Sequence, residues 1–347
     1  MVTNNSAHVR LFEQKIQDYL GSAIRPITFC NGEMALFHLI QAWKIKLGYD
    51  VHETFDVLVP SFTFVGTINA IVLNNLRPIF CDIDDTLTIS PEKLSTVVTD
   101  AKMIVAVGVY GNIPDVEGLG RYASEKGMPL LFDNAPAFTS QYKKQFVCNL
   151  GYSEIYSFHA TKIFNSMEGG AAVVGDDEVA GIIMNLRDFG QYEKTRGDVM
   201  HPGLNSKMQE VSALVGLNNL SKIDNILKLR SAHIKQYKDF FGICEQKGFL
   251  QNMKVAEHVF CPYLYYPIIL NGDATPFVEF MNQNGIAVRR YYTAVHELKY
   301  YKNKYPAHCL QKTDEIKNNI VSLPIHTIMT EDEIKYLFNT IKSFFRE

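Results

Sequence analysis

Met128-Pro129-Leu130-Leu131-Phe132-Asp133 is a short apolar run that ends abruptly in an acid. Such a run, bounded by a proline and a charge, reads as a buried strand. Similar runs recur on either side of it: Asp56-Val57-Leu58-Val59, Pro78-Ile79-Phe80-Cys81, Met103 to Val109, Ile155 to Phe158 and Ala171 to Val174. Helical patterns fall among them, at Phe12 to Leu20, from Gly32 onward, at Pro91 to Val98 and at Val116 to Lys126. Alternation of this kind predicts an α/β sandwich around a largely parallel sheet. From about Gln209 to Phe241 the spacing predicts one long helix. Leu264 to Leu270 (strand), Pro276 to Asn284 (helix), Ile286 to Arg289 (strand) and Ile320 to Leu323 (strand) follow. A last helix starts at Thr330, with Glu333 completing a capping box. The expected organisation is a large α/β domain over residues 1–220 and a small C-terminal α+β domain over residues 221–347.

The 347 residues are 47 % hydrophobic, enough for a large core or two domains. With a net charge of −3 and no basic–aromatic stripe, nucleic acid is not an expected partner. The first residues lack the pattern of a signal peptide and no apolar run reaches the roughly 18 residues of a membrane helix, so a cytoplasmic protein is expected. Six cysteines lie far apart with no Cys-x-x-Cys pair, which reads as reduced thiols and no metal site.

Asp133 ends a strand, and in open α/β sheets ligands collect at the carboxyl ends of strands. Lys162 follows the strand Ile155 to Phe158 within Ser157-Phe158-His159-Ala160-Thr161-Lys162, and an apolar, glycine-rich segment (Ile163 to Gly170) comes after it. Desolvation there makes a neutral, nucleophilic amine accessible. An amine able to form a Schiff base, and a carboxylate able to hold a pyridine nitrogen protonated, are the two groups that pyridoxal 5'-phosphate chemistry most needs. A phosphate needs backbone N–H groups at a helix start, and Asn31-Gly32-Glu33-Met34 provides one, with Ser157 able to add a hydroxyl. Phe64, in Pro60-Ser61-Phe62-Thr63-Phe64, could stack on a flat ring.

These segments, with Asp82-Ile83-Asp84, Tyr110-Gly111, Asp133-Asn134-Ala135, Glu168-Gly169-Gly170, Leu186 to Gly190, Gly203 to Met208 and Ser322-Leu323-Pro324, stand in one order along nearly the whole chain. In that order they resemble the DegT/DnrJ/EryC1/StrS family of sugar aminotransferases. The resemblance implies the aspartate aminotransferase-like fold type I of pyridoxal phosphate enzymes. It implies that Lys162 binds the cofactor covalently and shuttles a proton, that Asp133 pairs with the ring nitrogen and that Phe64 stacks on the ring. By the same resemblance Gly32, Glu33, Met34 and Ser157 hold the phosphate, and Asn205 reaches the cofactor of a partner subunit in a homodimer. Tyr291, Tyr292 and His296 are implied in nucleotide-sugar binding, with glutamate as amino donor and 2-oxoglutarate as its product. Glu168-Gly169-Gly170 resembles the branch that aminates C-4 of a 4-keto-6-deoxyhexose, dTDP-linked for preference, for O-antigen and other bacterial surface polysaccharides; amination at C-3 is the alternative.

Three departures stand out. Pro136 replaces a polar residue usual three positions after the aspartate, Glu33 replaces a threonine in the phosphate turn, and the chain starts near the family's Thr-Asn-Asn segment (Thr3-Asn4-Asn5), so the usual N-terminal extension is expected to be missing. Glu33 is expected to turn its carboxylate from the phosphate and offer only its N–H. Gly118-x-Gly120-x-x-Ala123 matches a dinucleotide fingerprint but follows a turn, which excludes that reading. A sugar dehydratase using pyridoxamine phosphate would replace Lys162 by histidine. A non-catalytic binding protein on the same fold is the remaining rival.

Overall fold

The computed structural model describes residues 4–191, 198–307 and 309–345, so Thr3 lies outside the described residues. The large domain is built on a seven-stranded sheet: β1 (Ile27–Phe29), β2 (Asp56–Pro60), β3 (Arg77–Cys81), β4 (Met103–Val107), β5 (Leu130–Asp133), β7 (Ser153–Ser157) and β8 (Gly170–Val173). A two-residue strand, β6 (Gln141–Tyr142), lies outside it and pairs with β10 (Val259–Phe260). The order is β1-β8-β7-β5-β4-β2-β3, with β3, β2, β4, β5 and β7 parallel and β8 antiparallel to both of its neighbours. These parallel strands are buried almost throughout, which is why they read as continuous apolar runs. Helices α1 (Ala7–Leu20), α2 (Gly32–Lys46), α3 (Val65–Leu73), α4 (Pro91–Ser95), α5 (Val116–Lys126) and α6 (Asp177–Arg187) accompany the sheet. Val116–Lys126 matches the sequence expectation, whereas Pro91 to Val98 stops at Ser95 and Met103 to Val109 at Val107. The architecture is fold type I, as expected.

The single long helix expected from Gln209 to Phe241 is two: α7 (Glu210–Leu220) and α8 (Ile223–Gln246). The Ser221 hydroxyl donates to the Asn218 carbonyl at 2.8 Å, and Lys222 stands between the two helices at the N-terminal cap of α8, with φ −109°. Apolar periodicity runs through this break and hides it. Beyond it, β9 (Leu250–Asn252), β11 (Tyr266–Leu270) and β12 (Ile320–Leu323) form an antiparallel sheet, with α9 (Thr275–Gln283), α10 (Gln311–Ile316) and α11 (Glu331–Phe344). The expected strand at Ile286 to Arg289 is absent; only Arg289 bridges to Ser322, through bonds of 3.1 and 2.8 Å. The chain leaves the sheet edge there to carry Tyr291 and Tyr292 to the cavity described below. The Thr330–Glu333 capping box is present.

We propose the domain division at the α7–α8 break. The core does not divide there: Leu58, Ile104 and Phe132 of the large sheet share one apolar cluster with Tyr237, Ile268 and Leu337. No helix among the described residues is long and apolar enough to cross a membrane.

Candidate active site

A cavity of about 420 Å³ opens at the carboxyl ends of β5 and β7. Asp133 lies in it because β5 ends there, paired in register with Ile155 of β7. The Thr67 hydroxyl donates to Asp133 Oδ2 at 2.7 Å, and the Ala135 N–H donates to Oδ1 at 3.1 Å. Burial pushes the Asp133 carboxyl above its ordinary pKa, and these two donors and the Lys162 charge pull it back. Lys162 lines the same cavity. Its residue keeps intermediate exposure because the cavity is open, yet its amine is enclosed by protein, and this burial pushes its pKa down against the pull of Asp133. Both groups are driven toward neutrality by burial.

The proposed phosphate turn is held by steric contact. Asn31 caps α2, accepting the Met34 N–H at 2.8 Å. A Cβ on Gly32 would lie 2.7 Å from Ser157 Cβ, and one on Gly170 would lie 2.6 Å from the Asn31 carbonyl carbon and the Gly32 nitrogen. Ser157 and Gly170 pair across β7 and β8, so the backbone at Asn31–Gly32 is clasped between them. Met34, expected among the phosphate donors, spends its N–H on the cap and does not line the cavity, which leaves the Gly32 and Glu33 amides and the Ser157 hydroxyl. Glu33 does line the cavity: its carboxyl carbon lies 3.6 Å from where a Cβ on Gly66 would stand.

Phe64 stands at the start of α3 with 57 % of its surface exposed, and lines the cavity wall. A large aromatic left this open inside a cleft suits a flat ligand. The opposite wall is aromatic as well, formed by Tyr265, Tyr291 and Tyr292. Tyr292 is buried against Phe62 and Tyr110, at ring separations of 5.9 and 5.2 Å. The Tyr110 hydroxyl donates to the Tyr291 carbonyl, which also accepts from Ser322 Oγ at 3.2 Å. Pro136 lines the cavity next to Asp133 without offering a polar side chain. At the mouth, the Thr161 N–H donates to His159 Nδ1 at 3.2 Å, which assigns the ring proton to Nε2, 3.5 Å from Glu168.

His296 and Asn205 lie outside this cavity, and of the two Asn205 is the one expected at a partner subunit's cofactor instead. His296 is not in the cavity lining; its Nδ1 bonds Ser61 Oγ at 2.6 Å, and its Nε2 stands 3.5 Å from both Glu297 and Asp314. It fastens the segment leading to Phe64 rather than facing the cavity. Although His296, Glu297 and Asp314 have the spacing of metal ligands, the Lys317 amine already bridges the two carboxylates at 3.0 and 2.7 Å. Asn205 is exposed, outside the cavity, beside exposed Leu204. Thr67 was not foreseen. The signal was Thr63-x-x-x-Thr67, one helical turn apart at the start of α3, whose hydroxyls lie 3.0 Å apart.

The donor set fits pyridoxal phosphate: a buried acid under a flat slot, an enclosed amine, and free amides with a hydroxyl where a side chain cannot fit. Comparison with known proteins gives the same result. The model of the DegT/DnrJ/EryC1/StrS aminotransferase family matches residues 1–342. A dTDP-4-amino-4,6-dideoxy-D-glucose transaminase of Shigella dysenteriae is 30 % identical over 351 residues, covering 98 % of this chain and 91 % of that protein. The structure of DesI with its TDP-sugar product superposes with a TM-score of 0.87 at 26 % identity, over 98 % of this chain and 85 % of that one. A DegT DnrJ EryC1 StrS aminotransferase from Brucella abortus shares the fold, with a TM-score of 0.89 at 22 % identity, covering 99 % and 92 % of the two chains.

Proposed function

The chain belongs to the DegT/DnrJ/EryC1/StrS aminotransferase family, whose members are pyridoxal phosphate-dependent sugar transaminases, and we propose that it aminates C-4 of a nucleotide-linked 4-keto-6-deoxyhexose with glutamate as donor. A dTDP sugar is the favoured substrate and a 4-amino-4,6-dideoxy sugar the product, made in the cytoplasm for a bacterial surface polysaccharide such as O-antigen. The observation that carries this reading is the single cavity joining Lys162, Asp133, the Gly32–Ser157 clasp and an aromatic wall. The 30 % identity to a 4-amino-sugar transaminase supports the regiochemistry.

The bound cofactor supplies an electron sink through which an amino group passes from donor to acceptor. Asp133 would hold the proton on the ring nitrogen, and its burial makes a nearby cation strongly favourable. Lys162 Nζ, whose pKa burial lowers, would hold the cofactor, take the proton from the donor's α-carbon and, in the second half of the cycle, deliver one to C-4 of the sugar. The Gly32 and Glu33 amides and the Ser157 hydroxyl would hold the phosphate, and Phe64 would fix the ring plane. Tyr291 and Tyr292 would flank the sugar. Asn205 would complete the phosphate site of a partner subunit in a homodimer, a reading supported by its exposure beside Leu204.

The test is a panel of 3-keto and 4-keto nucleotide sugars with glutamate. Turnover of 4-keto substrates with ping-pong kinetics is expected. Activity on 3-keto substrates alone would overturn the regiochemistry. A protein that stays colourless with the cofactor would favour a binding role.

A further inference from the structure

Glu33 is the one cavity-lining residue whose chemistry opposes the site it borders. It follows Gly32 directly, and Gly32 lies flat against Ser157, so the Glu33 side chain leaves the backbone at the rim of the proposed phosphate turn. The side chain does not fold away. It lines the cavity beside Phe64 and Gly66, is exposed, and has no hydrogen bond or ion pair among the described residues. The fixed charges around the cavity are also unbalanced: Glu33, Asp133 and Glu168 are acids, and among the described residues Lys162 is the only lysine or arginine in the lining. An acid in the first turn of a helix is ordinarily a favourable partner for the helix dipole. This one also lines the same cavity as Gly32 and Ser157, the groups proposed to receive a phosphate dianion.

We propose that Glu33 is a retention-setting residue, whose like charge weakens the hold on the cofactor's phosphate so that the aminated cofactor exchanges with solution during turnover. The inference rests on the reading that the Asn31–Glu33 turn and Ser157 receive the phosphate. While Lys162 holds the cofactor by a covalent bond, a weakened phosphate contact has little consequence. Once the amino group has been taken up that bond is gone, and only non-covalent contacts keep the cofactor in place. A like charge beside a phosphate in a half-solvated cleft reduces affinity by on the order of one decade.

The experiment titrates cofactor-free protein by calorimetry with pyridoxamine 5'-phosphate, which cannot bond covalently to Lys162, and with unphosphorylated pyridoxamine as control. Glu33→Gln should bind pyridoxamine phosphate about tenfold more tightly than wild type, Glu33→Asp should match wild type, and pyridoxamine should bind all three alike. In a second measurement, wild-type holoenzyme incubated with glutamate and gel-filtered should lose its cofactor absorbance, whereas Glu33→Gln should keep it. Pyridoxamine phosphate affinity within twofold of wild type in Glu33→Gln overturns the inference, as does an equal gain for unphosphorylated pyridoxamine. In either case the phosphate-turn reading survives as long as Gly32→Ala weakens pyridoxamine phosphate and spares pyridoxamine. If Gly32→Ala weakens both alike, the underlying reading falls too.

Discussion

Thr67→Val removes one oxygen from the floor of the cavity and leaves the side-chain shape unchanged. The wild-type hydroxyl donates to Asp133 Oδ2 at 2.7 Å, the shorter of the two bonds that hold this carboxylate. A hydrogen bond to an ionised group is worth about 1.5–3 kcal/mol, a roughly 10- to 150-fold bias toward the carboxylate form. Burial already holds the Asp133 pKa above its ordinary value, and loss of this donor moves it further up. The reaction needs the carboxylate, so the acid limb of the pH–rate profile should shift to higher pH, and kcat at a fixed pH on that limb should fall about tenfold or more. Stability of the cofactor-free protein should respond in the same direction. A carboxyl whose folded pKa is raised contributes stability below its unfolded pKa that is lost as pH rises through the folded value. In Thr67→Val this loss ends at a higher pH and is deeper, which thermal melts across the acidic range would read. Thr67→Ser should restore both the rate profile and the melts. A Val variant with an unshifted acid limb, or a Ser variant that behaves like Val, would refute the reasoning.

Gly32→Ala drives a methyl to 2.7 Å from Ser157 Cβ, an overlap costing about 1–3 kcal/mol; cofactor affinity, followed by absorbance, should fall roughly 10- to 100-fold with the fold retained. Tyr110→Phe deletes one of two donors to the Tyr291 carbonyl and leaves Ser322 at 3.2 Å, so KM for the sugar should rise about 2- to 10-fold with kcat held. An equal fall in kcat would place Tyr110 in the chemistry instead. Glu13→Gln strips the charge from a buried carboxylate that bonds Thr28 and stands 3.3 Å from buried Arg187. The uncompensated guanidinium should cost about 3–5 kcal/mol, seen as a lower thermal midpoint with cofactor affinity preserved.

What the sequence made legible follows from how local each signal is. Leu130 to Phe132 and Ile320 to Leu323 read correctly because a buried strand needs only its own residues to be apolar, and Thr330–Glu333 because a capping box is closed within four residues. The break at Ser221 was hidden because apolar spacing continues across it. Ile286 to Arg289 has strand composition, but its pairing ends at Arg289 because Tyr291 and Tyr292 belong to the cavity wall. Within the site, Lys162 and Asp133 were visible as chemical types at strand ends. Thr67 was not, since a threonine in an apolar helix reads as filler and its partner is 66 residues away. The resemblance implies a substrate contact for His296; its side chain bonds Ser61, 235 residues distant, a partner that no local pattern announces.

The geometry also separates two kinds of residue within the cavity. Asp133 and Ser157 stand on neighbouring parallel strands in register, and Gly32 is clasped by the adjoining β7–β8 pair. The spacing of acid and phosphate turn is therefore fixed by a sheet whose core is fully packed, and a buried acid and a buried amine are kept there despite both being pushed toward neutrality. That arrangement is unfavourable for the protein alone and favourable once a cation stands over Asp133, as the proposed cofactor role of these residues requires. The other walls have different anchors. Phe64 rides on a segment tied to His296, Tyr291 hangs from Tyr110 and Ser322, and the Glu33 side chain has no hydrogen bond or ion pair among the described residues. Phe64 precedes α3, Tyr291 lies in the segment between α9 and β12, and Glu33 stands in the first turn of α2, so none of the three is a residue of the large sheet. Substrate choice, including C-3 against C-4, is therefore to be sought in Phe64, Tyr265, Tyr291 and Tyr292 rather than in the Lys162–Asp133 pair.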